Sequence, residues 1–187
     1  MPFTPYHFGP SGFIGLVFRR WIDLPVFVLA NVIVDVEVLV ILIFQLDYPK
    51  HRYCHTLLVG AVVGALWGLS AYPLRGLFTK AMNRLRLPYR TSLLKMIVSG
   101  ILGVWFHVLI DSLCHHDVLM FWPSRYRLFL DIQRHYGWYE TVARVKIYCL
   151  LFVGPAILLY VFNVIGFSRG KSGSSGSKDS ANSLKRQ

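Results

Sequence analysis

Hydrophobic residues form four long, nearly uninterrupted runs along the chain, separated by shorter polar segments. Each run holds 20 to 23 residues, which at about 1.5 Å per helical residue is enough to cross a hydrocarbon core of about 30 Å. The pattern therefore predicts an all-α, polytopic bundle with four membrane-spanning helices. The predicted spans are Leu24–Leu46, His55–Leu74, Leu93–Cys114 and Val145–Phe167.

Two of the predicted spans contain small or helix-breaking residues in their interior. Glycine recurs at four-residue spacing in the second span, at Gly60, Gly64 and Gly68. Small residues at this spacing let helices approach closely in lipid. The fourth span contains Gly154-Pro155, where we expect a kink because proline cannot donate the helical hydrogen bond.

The two ends of the chain differ from the spans. Residues 1–20 contain an apolar run that stops at Arg19 and Arg20 and is too short to cross a bilayer, so we expect a short interfacial or re-entrant helix. Residues 168–187 are rich in Ser, Gly and Lys, which predicts a disordered basic tail. The prediction is one membrane-embedded domain over residues 1–167, followed by this tail.

Composition supports a membrane protein. Of the 187 residues, 55% are hydrophobic and 16% are charged, whereas soluble domains carry about 25% charged residues. The chain therefore has too little charge to cover a water-facing surface, which argues against a soluble enzyme and a disordered protein. Three widely spaced cysteines also give no readable disulfide framework.

The net charge of +11 follows the expected topology. Lys and Arg number 13 in the N-terminal segment, the loop around Arg75–Lys95 and the tail, against 7 on the other side, six of them in residues 47–54 and 115–144 and the seventh at Lys146. The positive-inside rule then predicts that both termini lie in the cytoplasm. We expect membrane lipid as a partner and no nucleic acid, with the basic loop as a candidate contact for anionic lipid or a protein.

Asp35 and Glu37 lie near the middle of the first span, which has no Lys or Arg to pair with them. An aspartate at the centre of a spanning helix costs about 2.5–3.5 kcal/mol on insertion. Protonation, a histidine from another segment or a metal ion must therefore neutralise them. Because residues two apart on a helix point in nearly opposite directions, we expect Glu37 to point away from Asp35.

Two further segments carry imidazole and carboxylate groups in helical register. His107, Asp111 and His115 align over two turns, and His51 aligns with His55 if the second helix begins a turn early. Mixed nitrogen and oxygen ligands suit zinc or a similar divalent ion, whereas paired Asp and His can also relay protons. Composition and spacing leave a metal site and a buried hydrogen-bonded network equally open.

Four short motifs follow one another within residues 1–125. They are Pro5-Tyr6-His7, Val34-Asp35-Val36-Glu37, His51-Arg52-Tyr53-Cys54-His55-Thr56-Leu57 and His107-Val108-Leu109-Ile110-Asp111-Ser112-Leu113. In this order they resemble the YdjM-like family of membrane-bound, metal-dependent, LexA-binding hydrolases of the bacterial inner membrane. The chain departs from the family pattern where Glu37 replaces a second Asp, Val34 replaces a Pro, and Cys54-His55-Thr56 replaces Thr-His-Ser.

The resemblance implies a set of metal ligands. The family is distantly similar to zinc-dependent phospholipases C, all-helical enzymes whose metal cluster includes an HxxxD pair on one helix. By this similarity His107 and Asp111 form the pair around one to three ions, most plausibly zinc, and His7, Asp35 and His55 complete it. Three additional candidates are His51 for substrate contact, Arg52 for a phosphate oxygen or a lipid headgroup, and His115 as an extension of the site.

The leading interpretation is a metal-dependent hydrolase of the inner membrane. Its metal would activate water for attack on a phosphoester of a lipid or another small molecule, with Asp35 and Glu37 as catalytic candidates and Glu37 as base or further ligand. The alternative is a non-catalytic membrane protein, in which the polar residues form a structural ion site or an ion or proton pathway.

Overall fold

The computed structural model describes residues 4–45 and 53–166, so the predicted tail lies outside the described residues. Within these two ranges every regular element is helical, which confirms the predicted all-α fold. A 3-10 turn at Thr4–His7 leads into the first α-helix. The helices are α1 (Phe8–Val17), α2 (Leu24–Ile43), α3 (Leu57–Ala71), α4 (Arg75–Arg84), α5 (Leu93–Cys114), α6 (Leu130–Tyr136), α7 (Trp138–Leu151) and α8 (residues 153–166).

Within residues 4–45 and 53–166, four helical stretches are long and apolar enough to cross a membrane, as predicted. They are Leu24–Ile43, Leu57–Arg84, Leu93–Cys114 and Trp138–Gly166. The second stretch is longer than expected because a 3-10 turn at Tyr72–Leu74 joins α3 to α4. The basic loop predicted to begin at Arg75 therefore starts as an amphipathic helix that buries Phe78 and Met82.

The last span begins at Trp138 rather than at Val145, which corrects the predicted boundary. The difference arises because Glu140 and Arg144 interrupt the apolar run in the sequence but lie on the helix surface in the structure. They form an ion pair at i,i+4, with 2.6 Å between Oε1 and Nη2. Such pairs support an exposed helix. Further on, the helix is interrupted at Phe152, near the predicted kink, where Pro155 has no N–H to bond the carbonyl of the preceding turn.

Glycines bring α3 and α5 into close contact. A Cβ added to Gly64 would lie 2.6 Å from the carbonyl oxygen of Gly100, and one added to Gly68 would lie 2.5 Å from the Cα of Ile97. The predicted small-residue face therefore packs against another helix. The opposite face of α3 exposes four large apolar side chains, as expected for a surface that meets lipid: Leu58, Val62, Leu66 and Leu69.

The helices α2 and α5 run in the same direction. Near one end of the bundle the backbone N–H of Asp23 donates to Oγ of Ser99 at 2.7 Å. The helix α3 runs antiparallel to both, and Trp67 near its end donates from Nε1 to the carbonyl of Val26 at 3.0 Å. Between the three helices lies an apolar core that includes Ala30, Val34, Val104 and Val108.

The basic segments meet at one end of this bundle. The Nζ atom of Lys95 donates to the carbonyl oxygens of Arg19 and Arg90, at 3.1 and 3.0 Å. The hydroxyl of Tyr160 on α8 donates to the carbonyl of Leu85 at 3.2 Å. The N-terminal segment, the basic loop and the last helix are thus neighbours, and we call this end of the bundle the basic end.

Candidate metal centre

The candidate centre is assembled from three parts of the chain. Asp35 lies on α2, while His107 and Asp111 lie one turn apart on the same face of α5. His55 belongs to the turn that precedes α3. Thr56 fixes this turn, because its Oγ1 donates to the carbonyl of Tyr53 at 2.9 Å and accepts the N–H of the first turn of α3 at 3.2 Å.

Four donor atoms, one each from Asp35, His55, His107 and Asp111, lie within 4.8 Å of one another. Nε2 of His107 lies 3.3 Å from Oδ1 of Asp35 and 3.3 Å from Oδ2 of Asp111. Nε2 of His55 lies 3.7 Å from each of these two oxygens. Ligands of a tetrahedral zinc ion at about 2.0–2.1 Å stand about 3.3–3.4 Å apart, so these donors already have nearly the separation that one ion imposes.

Burial makes the charge balance of this four-atom group important. His55, His107 and Asp111 are buried, whereas the side chain of Asp35 is 25% exposed. Two carboxylates in an apolar interior are costly unless they are paired. One divalent cation with two carboxylates and two neutral imidazoles has no net charge, so an ion would remove this cost.

The buried ring of His107 gives independent support for a cation. Its two nitrogens make no hydrogen bond with a described residue, although Nε2 faces two carboxylate oxygens. A buried polar atom without a hydrogen bond costs about 1–3 kcal/mol. The ring is held by packing against the rings of His7 and His55, with centroids 4.5 and 5.4 Å away. An ion among the four donors would give Nε2 its partner.

Glu37 holds His55 in position and is not one of the four donors. Its Oε2 lies 3.2 Å from Nδ1 of His55, and its carboxylate also accepts the backbone N–H groups of Tyr53 and Cys54, each at 3.1 Å. A carboxylate that accepts from Nδ1 leaves the Nε2 lone pair directed at a metal, as in carboxylate–histidine–metal triads. These contacts favour a positioning role over the predicted role of base or ligand.

His7 lies beside the four-atom group, not within it. The 3-10 turn that precedes α1 places its buried side chain with Nε2 3.2 Å from Oδ1 of Asp111. That oxygen is not the one that faces His55 and His107. The structure therefore has His7 contacting the second oxygen of Asp111, which fixes the orientation of this carboxylate.

The additional candidates do not join the four-atom group where the structure describes them. His115 is buried at the end of α5, where its backbone N–H donates to the carbonyl of Asp111 at 2.8 Å. Both His51 and Arg52 lie outside the described residues. Cys54 is close to the site, but burial and the Glu37 carboxylate raise the pKa of its thiol to about 11, so the thiol is protonated at neutral pH.

Comparison with known proteins gives no significant match to this chain. No protein-family model matches the chain, and no curated protein or solved structure matches it at a significant level. The YdjM-like resemblance therefore remains a prediction from short motifs. The case for a metal centre depends on the geometry of the four donor atoms.

Proposed function

We propose that the protein is a metal-dependent hydrolase of the bacterial inner membrane that cleaves a phosphoester of a lipid-like substrate. The observation that carries the proposal is the convergence of two imidazoles and two carboxylates among apolar helices. Asp35, His107 and Asp111 come from the helices themselves, and His55 comes from the turn before α3. The motif resemblance to the YdjM-like family supports the same reading.

The donor chemistry of the four residues suits zinc. Two nitrogens and two oxygens match the ligand types that zinc takes in proteins. When bound, zinc lowers the pKa of its water from about 15.7 to about 7 and polarises a phosphoryl oxygen. In this proposal Glu37 sets the tautomer of His55, and His7 holds Asp111, so two supporting groups keep the ligands oriented.

Asp35 marks the side from which water and substrate would reach the ion. It is the most exposed of the four ligands, with 25% of its side chain accessible. A carboxylate at the mouth of the site is also placed to accept a proton from attacking water. We therefore assign Asp35 a double role, as ligand and as proton acceptor.

The depth of the centre fits a substrate that resides in the bilayer. Asp35 lies about 16 Å along α2 from its first residue at 1.5 Å per residue, within a hydrocarbon core of about 30 Å. The basic end of the bundle is the cytoplasmic end in this proposal, because it gathers Arg19, Arg90 and Lys95. Both termini would then be cytoplasmic, and the centre would lie in the outer half of the membrane.

Metal content and phosphodiesterase activity of the detergent-purified full chain test the proposal. The variants His107→Ala and Asp111→Asn are compared with His135→Ala, which changes an exposed histidine whose ring makes a T-shaped contact with Tyr136. We expect the parent and the control to carry about one or more equivalents of zinc and to hydrolyse bis(p-nitrophenyl) phosphate or a fluorescent phospholipid. The two site variants should lose most of the metal and about 100-fold or more of the activity.

Two results would contradict this proposal. Zinc retained at full stoichiometry in His107→Ala would show that the four donors do not hold the ion. Stoichiometric zinc without turnover on a broad panel of phosphoesters would instead favour a structural ion site.

A further inference from the structure

A second candidate site lies at the basic end of the bundle, away from the metal centre. A cleft of about 900 Å³ opens there, lined by four cationic side chains: Arg19, Arg20, Arg90 and Lys95. Among the residues that the structure describes, none of these three arginines has a carboxylate within ion-pair distance. Unpaired cations gathered around one cavity create a positive potential that favours an anion.

The cleft is held in shape by contacts that do not use the arginine side chains. Lys95 ties the two segments that carry Arg19 and Arg90 together by donating to both of their carbonyl oxygens. On either side of Arg90, the hydroxyls of Tyr89 and Thr91 donate to the buried carboxylate of Asp23. Burial and this carboxylate raise the pKa of Tyr89, which keeps its hydroxyl protonated as a donor. These contacts hold the backbone that carries Arg19 and Arg90 at the edge of the cleft before any ligand binds.

An apolar groove adjoins this cleft. It has a volume of about 920 Å³ and is lined by residues of α1, α2, α4 and α8. Leu16 lines both cavities. From Leu16 the groove follows α1 back to Phe8, a distance of about 12 Å at 1.5 Å per residue. The cationic cleft and the apolar groove thus adjoin at Leu16.

We propose that the cleft and the groove together bind one anionic phospholipid, with its headgroup among the four cationic side chains and an acyl chain along α1. Charge complementarity favours this occupant, because guanidinium groups bind phosphate through paired N–H donors. The cleft lies where α2 and α5 begin, which is the headgroup level of a spanning bundle. Trp21 lines it and is 68% exposed, as is typical of an aromatic side chain at the membrane interface. This site does not depend on the metal centre.

The headgroup part of the proposal is tested by the affinity of the full chain, in neutral detergent, for fluorescent phosphatidylglycerol. The double variant Arg20→Gln/Arg90→Gln removes two charges from the cleft. Its matched control, Arg84→Gln/Arg86→Gln, removes two exposed charges that do not line it. We expect the first to bind about tenfold or more weakly and the control to stay within about twofold of the parent. Equal losses in both variants would overturn the site.

The chain-binding part is tested by filling the groove. Gly12 lines the groove, and a Cβ added to it meets no heavy atom within 4 Å, so the side chain of Gly12→Leu starts in open space at the groove. Equal zinc content and an equal melting temperature of the variant and the parent would show that it keeps the fold. We expect this variant to bind long-chain phosphatidylglycerol about fivefold or more weakly, and to bind the dihexanoyl lipid like the parent. Unchanged binding of the long-chain lipid would refute an acyl chain in the groove.

Inorganic phosphate and metal content separate the remaining outcomes. Inorganic phosphate and dihexanoyl phosphatidylglycerol are compared as competitors of the bound fluorescent phosphatidylglycerol. If both displace it equally at millimolar concentration, the cleft is a free-anion site and the lipid proposal is wrong. Phosphatidylcholine should bind about tenfold more weakly than phosphatidylglycerol, since it carries no net charge. Zinc content should be equal in all these variants, so that failure of this proposal is distinct from failure of the hydrolase proposal.

Discussion

The imidazole of His55 lies between the carboxylate of Glu37 on one side of its ring and those of Asp35 and Asp111 on the other. Its Nδ1 lies 3.2 Å from Oε2 of Glu37, while its Nε2 faces the carboxylates of Asp35 and Asp111 at 3.7 Å. Glu37 thereby determines which nitrogen carries the proton. Glu37 would therefore position one of the proposed ligands, whereas Asp35, His55, His107 and Asp111 would hold the ion.

Replacing Glu37 distinguishes a positioning role from a catalytic one. We expect Glu37→Ala to weaken zinc affinity about 10–100-fold, because His55 loses the acceptor that orients it, with Glu37→Gln intermediate. Competition with a chromogenic chelator measures the affinity. A variant that keeps parental zinc affinity but loses turnover would show instead that Glu37 is the base.

Removal of metal should lower the thermal stability of the folded chain. A ligand that binds only the folded state stabilises it by about 2.7 kcal/mol at 100 times its Kd, and chelation withdraws this contribution. In scanning fluorimetry the parent should melt at a lower temperature with excess EDTA than with zinc. His107→Ala should melt at the same temperature in both conditions. A parent melt that is insensitive to EDTA would argue against a bound ion.

The contact between α3 and α5 should not tolerate a methyl group at Gly64. An added Cβ would lie 2.6 Å from the Gly100 carbonyl oxygen, so the helices must separate. Overpacking of this kind lowers the free energy of unfolding by about 1–3 kcal/mol. We expect at least this loss for Gly64→Ala when unfolding is induced with SDS. Gly12→Ala is the control, because its Cβ meets open space and removal of a helical glycine is neutral or stabilising.

Asp23 should be important for stability rather than for metal binding. Its buried carboxylate caps α2 through the N–H of Val26 at 3.3 Å and accepts the hydroxyls of Tyr89 and Thr91. Loss of a cap and of charge-assisted hydrogen bonds predicts that Asp23→Ala destabilises the chain by more than about 2 kcal/mol. Tyr89→Phe, which removes one donor, should cost less. Zinc content should not change in either variant, and a loss of zinc would contradict this assignment.

The spans could be predicted from the sequence because burial in lipid requires long apolar runs. For the third span the predicted bounds, Leu93–Cys114, are those of α5 in the structure. The pair His107 and Asp111 followed from one helical turn on the same element. Asp23 had a readable signal too, since a cap residue followed by Leu24-Pro25 is typical of a helix start. The spacing of residues in the sequence was sufficient to predict the features that depend on a single regular helix.

The contact between Glu37 and His55 could not be predicted, because it depends on an irregular segment, the turn before α3. Helical geometry predicts that Glu37 points away from Asp35, yet Glu37 serves the same site because the turn before α3 brings His55 to it. Periodicity contains no information about such a turn. The early start of α7 was missed because hydropathy interprets its polar first turns as a loop. The ion pair between Glu140 and Arg144 supports a helix there.

The ligands come from α2, from the turn before α3 and from the far part of α5. Asp35 lies on the first of the four candidate spans, whereas Asp111 lies near the end of the third. The four donor atoms can therefore meet only after the third span has been synthesised and has packed against the first. In the proposed metal centre, bound zinc would therefore report that α2, the turn before α3 and α5 had come together, without requiring the last span.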